Sequence, residues 1–239
     1  MSLLLDVGNT RIKWARADTG VLQDLGAVAH QGEPARALDD CPIMDPDAVW
    51  ICSVLDPAAE AELLRACGVR WPCPVQVMRS QARWQGLRNG YAEPKRLGAD
   101  RWIAMLGAWA ASPGACVIAD AGTALTVDVV DAAGLHQGGI IAAGMQTSRR
   151  AVLGATRFRA LEAGVPAHAG LGRDTEACVD QGVLLSCLGA IEHIAAGADP
   201  DAAFYLTGGD AELLLPHLDA RWSYQPHLVL QGLMHYAGI

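Results

Sequence analysis

The sequence predicts an α/β protein of two similar domains, each a mixed sheet flanked by helices, facing each other across a cleft. Three observations carry that expectation. Strand-like apolar runs alternate with helical periods along the chain, the pattern of α/β construction. A buried run ending in aspartate, then a small residue, glycine and a nearby threonine, occurs twice, around Asp6 and around Asp120, nearly half the chain apart. The 239 residues are enough for two cores of this kind.

The elements follow in order. Residues 3–7 (LLLDV) read as a buried strand, Gly8-Asn9-Thr10 as a turn, and the alternation through Ile12, Trp14 and Ala15 as the return strand of a hairpin. A strand is expected over 48–54, a helix over 57–67 and a short strand near Val75 to Met78. Trp102, Met105, Leu106 and Trp109 recur at i, i+3, i+4 and i+7 and predict a helix from Ala99 to Ala111. It stops before Ser112-Pro113-Gly114, which divides the chain into domains 1–114 and 115–239. Beyond it the expected elements are a second hairpin over 117–128, a strand at 135–141, helices at 146–160 and 175–196, a strand at 202–207, and helices at 211–217 and 229–237.

Composition narrows the function. With 51% hydrophobic and 18% charged residues the chain reads as a packed globular protein. A net charge of −8, from 18 basic and 26 acidic residues, supplies no basic face and argues against a nucleic-acid partner. Any phosphate has to be handled locally. The seven cysteines are scattered, without C-x-x-C or zinc spacing, as suits a reducing cytoplasm. No charged leader and no uninterrupted run of about 18 apolar residues occurs, so neither secretion nor a membrane partner is expected. The seven histidines show no metal-binding spacing, and Trp71 and Trp84 fall in stretches without a clear pattern.

Three short motifs carry chemistry. In Asp6-Val7-Gly8-Asn9-Thr10-Arg11-Ile12-Lys13 a tight turn lets backbone amides converge on an anion, with Gly8 permitting close approach and Thr10 adding a hydroxyl. Lys13 offers positive charge to phosphates and Asp6 a carboxylate to Mg²⁺. An ordinary Gly-Asn hairpin uses the same residues. The second motif, Asp120 to Asp128, repeats the arrangement, with Thr123 as phosphate donor, Asp120 as cation ligand and Asp128 as a structural residue. In Gly98-Ala99-Asp100-Arg101, Asp100 stands where a helix N-cap is expected. There it either caps or accepts a proton from a substrate hydroxyl, while Arg101 beside it suits a substrate carboxylate.

Four fragments, Asp-Val-Gly-Asn-Thr at the N-terminus, Leu-Gly-Ala-Asp-Arg-Trp near 100, Asp-Ala-Gly-Thr-Ala-Leu-Thr-Val-Asp near 120 and Gly-Gly-Ile-Ile-Ala-Ala-Gly at 138–144, resemble in order and spacing the signature of type III pantothenate kinases. These belong to the acetate/sugar kinase, Hsp70 and actin superfamily of ribonuclease H-like domains. The resemblance spans the chain. It implies ATP-dependent phosphorylation of pantothenate to 4′-phosphopantothenate, the entry to coenzyme A synthesis. It further implies that Asp6, Val7, Gly8, Asn9, Thr10, Arg11, Ile12 and Lys13 form the ATP-phosphate loop and that Thr123 touches ATP. Asp100 would be the base; Tyr91, Gly98, Ala99, Arg101 and Thr175 would surround pantothenate; and Asp120 would bind K⁺ or NH₄⁺. Thr175 also reads as a helix-start neighbour of Asp174. A homodimer is implied as well.

Two departures stand out: Ala143 replaces a proline usual in the family, and Thr156 to Leu161 replaces a Thr-Ala-x-Leu-Pro stretch. Thr207-Gly208-Gly209-Asp210 resembles the glycine pair that approaches adenosine in the superfamily, and equally a strand-to-helix turn. Rival readings are a kinase of the same fold with a sugar or acetate acceptor, and an inactive accessory relative.

Overall fold

A computed structural model describes residues 1–156 and 170–239. The last residues of the helix expected over 146–160, the altered stretch from Arg157 to Leu161, and His168 lie outside the described residues. The chain forms two compact units, Met1–Pro113 with His227–Ile239, and Gly114–Pro226.

The first unit opens with the antiparallel strands β1 (Ser2–Val7), β2 (Arg11–Asp18) and β3 (Val21–Ala29), then α1 (Pro34–Ala37), β4 (Ala48–Ser53), α2 (Pro57–Arg70) and β5 (Val75–Met78). A small ribbon, β6 (Arg83–Trp84) and β7 (Leu87–Arg88), precedes α3 (Ala99–Ala111). The sheet order is β3-β2-β1-β4-β5, with β4 parallel to both β1 and β5. Leu3, Leu4 and Leu5 are fully buried, because a central strand covered on both faces takes an unbroken apolar run. Leu3, Leu5 and Val7 enter one core with Ile12, Trp14 and Ile51, so Asp6 points to the opposite face. The edge strand β3, absent from the sequence expectation, is mostly exposed. Trp14 lies across Gly26, where a Cβ would collide with the indole. Helix α2 begins at Asp56, whose Oδ1 accepts from the Ala58 and Ala59 amides, with Pro57 in the first turn.

The second unit contains β8 (Cys116–Ala121), β9 (Ala124–Val130), β10 (His136–Ala143), α4 (Met145–Ala155), α5 (Thr175–Ala196), β11 (Ala203–Thr207), α6 (Ala211–Leu214) and β12 (Trp222–Tyr224). Its sheet order, β10-β9-β8-β11-β12, repeats that of the first unit strand for strand, with the same parallel and antiparallel pairings. Strands β1 and β8 share one burial sequence, four buried positions, a half-buried aspartate, then a buried residue. Helix α5 is long and apolar enough to cross a membrane by length and composition. Its Val183, Leu184, Cys187, Leu188 and Ile191 instead fill the core of this unit with Phe204, Leu206 and Trp222.

The last helix, α7 (Leu228–Ala237), belongs to the first unit, although the sequence division at 114/115 assigns it to the second half. The physical reason is a close crossing with α3. A Cβ on Gly107 would stand 2.6 Å from the Leu228 carbonyl oxygen, and one on Gly232 would collide with the Ile103 carbonyl. Only glycines let these two backbones approach so closely.

Candidate active site

The first hairpin joins β1 to β2. Asp6 is paired with Lys13 across the antiparallel ladder and with Cys52 across the parallel one, so all three side chains emerge on one face. The turn is closed by the Gly8 amide donating to the Arg11 carbonyl at 3.0 Å. Buried Val7 and Ile12 anchor its base, while Asn9, Thr10 and Arg11 are exposed. Gly8 is not among the residues with positive φ, and a Cβ there would make only ordinary contact, 3.5 Å from the Arg11 carbonyl oxygen. The fold therefore does not itself require glycine at position 8. Near Lys13, burial and then the lysine's charge hold the His227 imidazole below its ordinary pKa.

The N-cap of α3 is Gly98, not Asp100 as the sequence suggested. Asp100 is the second residue of the helix, and its Oδ1 accepts from the Arg101 amide at 2.8 Å. The carboxylate folds back over Gly98, whose missing Cβ would lie 2.6 Å from Asp100 Oδ1. Glycine at the cap thus leaves room for the carboxylate, and the positive end of the helix dipole favours its charge. Ser80, buried, donates through Oγ to the Leu97 carbonyl at 2.8 Å and steadies the helix entrance. Arg101 is only 6% exposed; its Nη1 donates to the Tyr91 hydroxyl at 3.0 Å, and its guanidinium lies 5.8 Å from the ring centroid. Tyr91 is held in turn by its amide, which donates to Asn89 Oδ1 at 3.0 Å, while Asn89 Nδ2 donates to the Gln81 and Pro94 carbonyls.

Asp6 and Asp100 share one neighbourhood in the first unit. Burial pushes the Cys52 thiol pKa far up, and the charges of Asp6 and Asp100 push it further in the same direction. Both carboxylates therefore lie within electrostatic reach of Cys52 in β4. Just beyond, Arg79 grips both oxygens of Glu60, and this, with a hydrogen bond from Ser53, holds the Glu60 carboxyl below the usual carboxylate range.

In the second unit Asp120 occupies the place in β8 that Asp6 holds in β1, paired with Thr126 and Thr207. Gly122 resembles Gly8, since its φ is not positive and a Cβ would stand 3.7 Å from the Ala124 carbonyl oxygen. Thr123 is exposed at the turn, and its carbonyl accepts from the Gly144 amide at 3.1 Å and Thr147 Oγ1 at 2.7 Å. Ala143 pairs with Ala124 in the ladder, so the position that differs from the family keeps a regular strand end. Gly208 has φ +100° and lies against the Ala121 carbonyl and Asp120 Oδ1. Geometry accounts for that glycine, whereas Gly209 faces open space. Asp128 is buried and bonded at 2.8 Å to the buried His136, the structural role expected of it. Thr175 opens α5 beside the cap Asp174 and lines a cavity of about 1010 Å³ with Ala143, Val152 and Val179.

The sequence reading missed Ser80 and Arg79, whose partners lie 17 and 19 residues away, and Asn89, whose partners are local but are backbone groups of an irregular loop. Among the described residues, no three His, Cys, Asp or Glu side chains gather as a metal site. Asp6 alone fits a divalent ion only if other oxygens come from a ligand, as polyphosphates supply.

Two sheets of one topology, each carrying an aspartate-bearing hairpin, are the architecture of the actin and sugar-kinase fold. Among solved structures the chain resembles the archaeal actin homologue Ta0583 at 13% identity and TM-score 0.50, covering 99% of both chains. It also resembles a conserved Campylobacter jejuni protein placed in the Baf family of transcriptional activators, at 18% identity and TM-score 0.64, with 99% and 98% covered. These likenesses speak to the fold. Residues 2–197 match the family model for type III pantothenate kinase. A type III pantothenate kinase of Halorhodospira halophila is 36% identical over 255 residues, covering 99% of this chain and 98% of the relative. The chain belongs to the type III pantothenate kinase family, whose members phosphorylate pantothenate with ATP and a divalent metal at the start of coenzyme A synthesis.

Proposed function

We propose that Asp100 is the general base of this pantothenate kinase and that residues 6–13 with Thr123 hold the ATP phosphates. The observation that carries the reading is the pair of hairpin glycines, Gly8 and Gly122, which sit at equivalent places and which the fold leaves sterically free. Phosphoryl transfer asks for positioning and charge compensation more than covalent chemistry. In this reading Gly8, Thr10 and Lys13 cradle the phosphates, supported by Val7, Asn9, Arg11 and Ile12 as the rest of the loop. Asp6 would hold Mg²⁺, which supplies charge neutralisation at the phosphate oxygens when bound. Asp120, with oxygen donors nearby, would take K⁺ or NH₄⁺. Asp100 receives the proton of the pantothenate hydroxymethyl group, while Tyr91, Gly98, Ala99, Arg101 and Thr175 position the substrate. Arg101, buried beside Tyr91, suits the pantothenate carboxylate.

The same reading takes the two units as ribonuclease H-like domains and the enzyme as a cytoplasmic homodimer acting without nucleic acid or membrane. Seven free cysteines agree with a reducing compartment. An ADP-release assay with pantothenate, run with and without K⁺, tests the core of it. Turnover that depends on pantothenate and rises with K⁺ is expected. ADP release with only a sugar or acetate, or with no acceptor at all, would overturn it.

A further inference from the structure

His30 belongs to none of the motifs above, yet it touches the first hairpin turn at both ends. It is 5% exposed and is the first residue after β3. Its amide donates to the Thr10 carbonyl at 3.0 Å. Its ring Nε2 lies 3.0 Å from the Gly8 carbonyl oxygen, and its Nδ1 lies 3.2 Å from the Gly32 amide nitrogen. A carbonyl only accepts and a backbone amide only donates, so one arrangement satisfies both contacts, a neutral ring with its proton on Nε2. The backbone is shaped to seat this ring: Gln31 and Gly32 both have left-handed φ, +49° and +88°. For Gln31 that conformation is unfavourable and has to be held by its surroundings.

The second unit carries an independent parallel. There the first residue after β10, Gly144, donates its amide to the Thr123 carbonyl, as His30 after β3 does to Thr10. The side chain that adds a second bond differs: Thr147 Oγ1 reaches the same Thr123 carbonyl, whereas the His30 ring reaches Gly8. Both turns are thus held from behind by the segment that follows the third strand.

We propose that His30 is a positioning residue for the phosphate-holding turn. A carbonyl and the amide of the next residue lie in one rigid trans plane, pointing in opposite directions. Drawing the Gly8 and Thr10 carbonyls toward His30 therefore directs the Asn9 and Arg11 amides the other way and fixes them. Preset donors of this kind bind an anion without reorganising first. The inference rests on the reading of residues 6–13 as the ATP-phosphate loop.

Steady-state kinetics with ATP and pantothenate varied separately test it. His30→Ala is expected to raise the KM for ATP by roughly three- to tenfold, the net effect of one or two hydrogen bonds, with the KM for pantothenate nearly unchanged. His30→Gln, whose amide can donate where Nε2 does, restores the ATP KM. His30→Asn, which replaces only the Nδ1 acceptor, does not, and comparison of Gln with Asn decides the matter even where the alanine variant fails to fold. Equal KM effects on both substrates, or no difference between Gln and Asn, overturns the inference. Lys13→Ala separates the two readings. A raised ATP KM for Lys13→Ala beside an unchanged one for the His30 variants removes only the role of His30, and no change in either removes the phosphate loop itself.

Discussion

Asp100 accepts from the Arg101 amide through Oδ1, and an amide oxygen in its place keeps that bond. Asp100→Asn should therefore leave the melting temperature nearly unchanged while kcat falls roughly a hundredfold or more, the usual contribution of a general base. Unchanged turnover would remove Asp100 from the chemistry. Gly8→Ala poses the converse question of what glycine does in the turn. Its φ is ordinary and the added methyl meets only the Arg11 carbonyl oxygen at 3.5 Å. The variant should fold with stability within about 1 kcal/mol of the parent, yet bind ATP more weakly, which calorimetric titration with a non-hydrolysable analogue would register. Asp6, Asp100 and Asp120 were legible because each stands at a strand end or helix start that the local pattern announces. His30 and Asn89 were not, because their partners are backbone carbonyls and amides brought close by strand pairing and loop folding, which no local period reveals.

At the level of elements, α3, with its clear apolar period, and α5, apolar nearly all round, fall where the sequence put them. Strands β3 and β12 did not announce themselves: the first is a largely exposed edge and the second has three residues. Pairing with a neighbour, not hydrophobic pattern, makes them strands. Helix α2 is tied to the end of β5 through Glu60 and Arg79, and this link has a pH signature. Glu60 titrates lower in the folded chain than it would unfolded, because Arg79 bonds its ionised form. The stabilisation is then complete above the ordinary carboxylate range and is lost as pH falls through the folded value. The difference in melting temperature between the parent and Glu60→Gln should be present at neutral pH and vanish in acid. Its size is limited, since the Arg79 side chain is 58% exposed and water screens the pair. A difference that grows on acidification would contradict the assignment.

For the molecule as a whole, the duplication seen in two aspartate-bearing hairpins extends to both five-stranded sheets, strand for strand. What the sequence could not disclose is that the chain, having built the second unit, returns to complete the first. The apolar residues of α7 look the same in sequence whichever core receives them, and only Gly107 and Gly232, at a backbone crossing, mark the partner as α3. Leu228, Val229, Leu230, Leu233 and Met234 are buried, on the order of 10 kcal/mol of apolar burial before entropy is counted. That is comparable with the whole stability of an ordinary domain. A chain ended after Pro226 should therefore lose the first unit while keeping the second. Hydrogen exchange read by mass spectrometry would show amides of α3 around Ile103 to Ala108 unprotected and those of β8 and β9 still slow. The milder Gly232→Ala, which forces a methyl against the Ile103 carbonyl, should destabilise the same unit by about 1–3 kcal/mol through overpacking. Protection retained in α3 after removal of α7 would mean that the first unit is complete without its last helix.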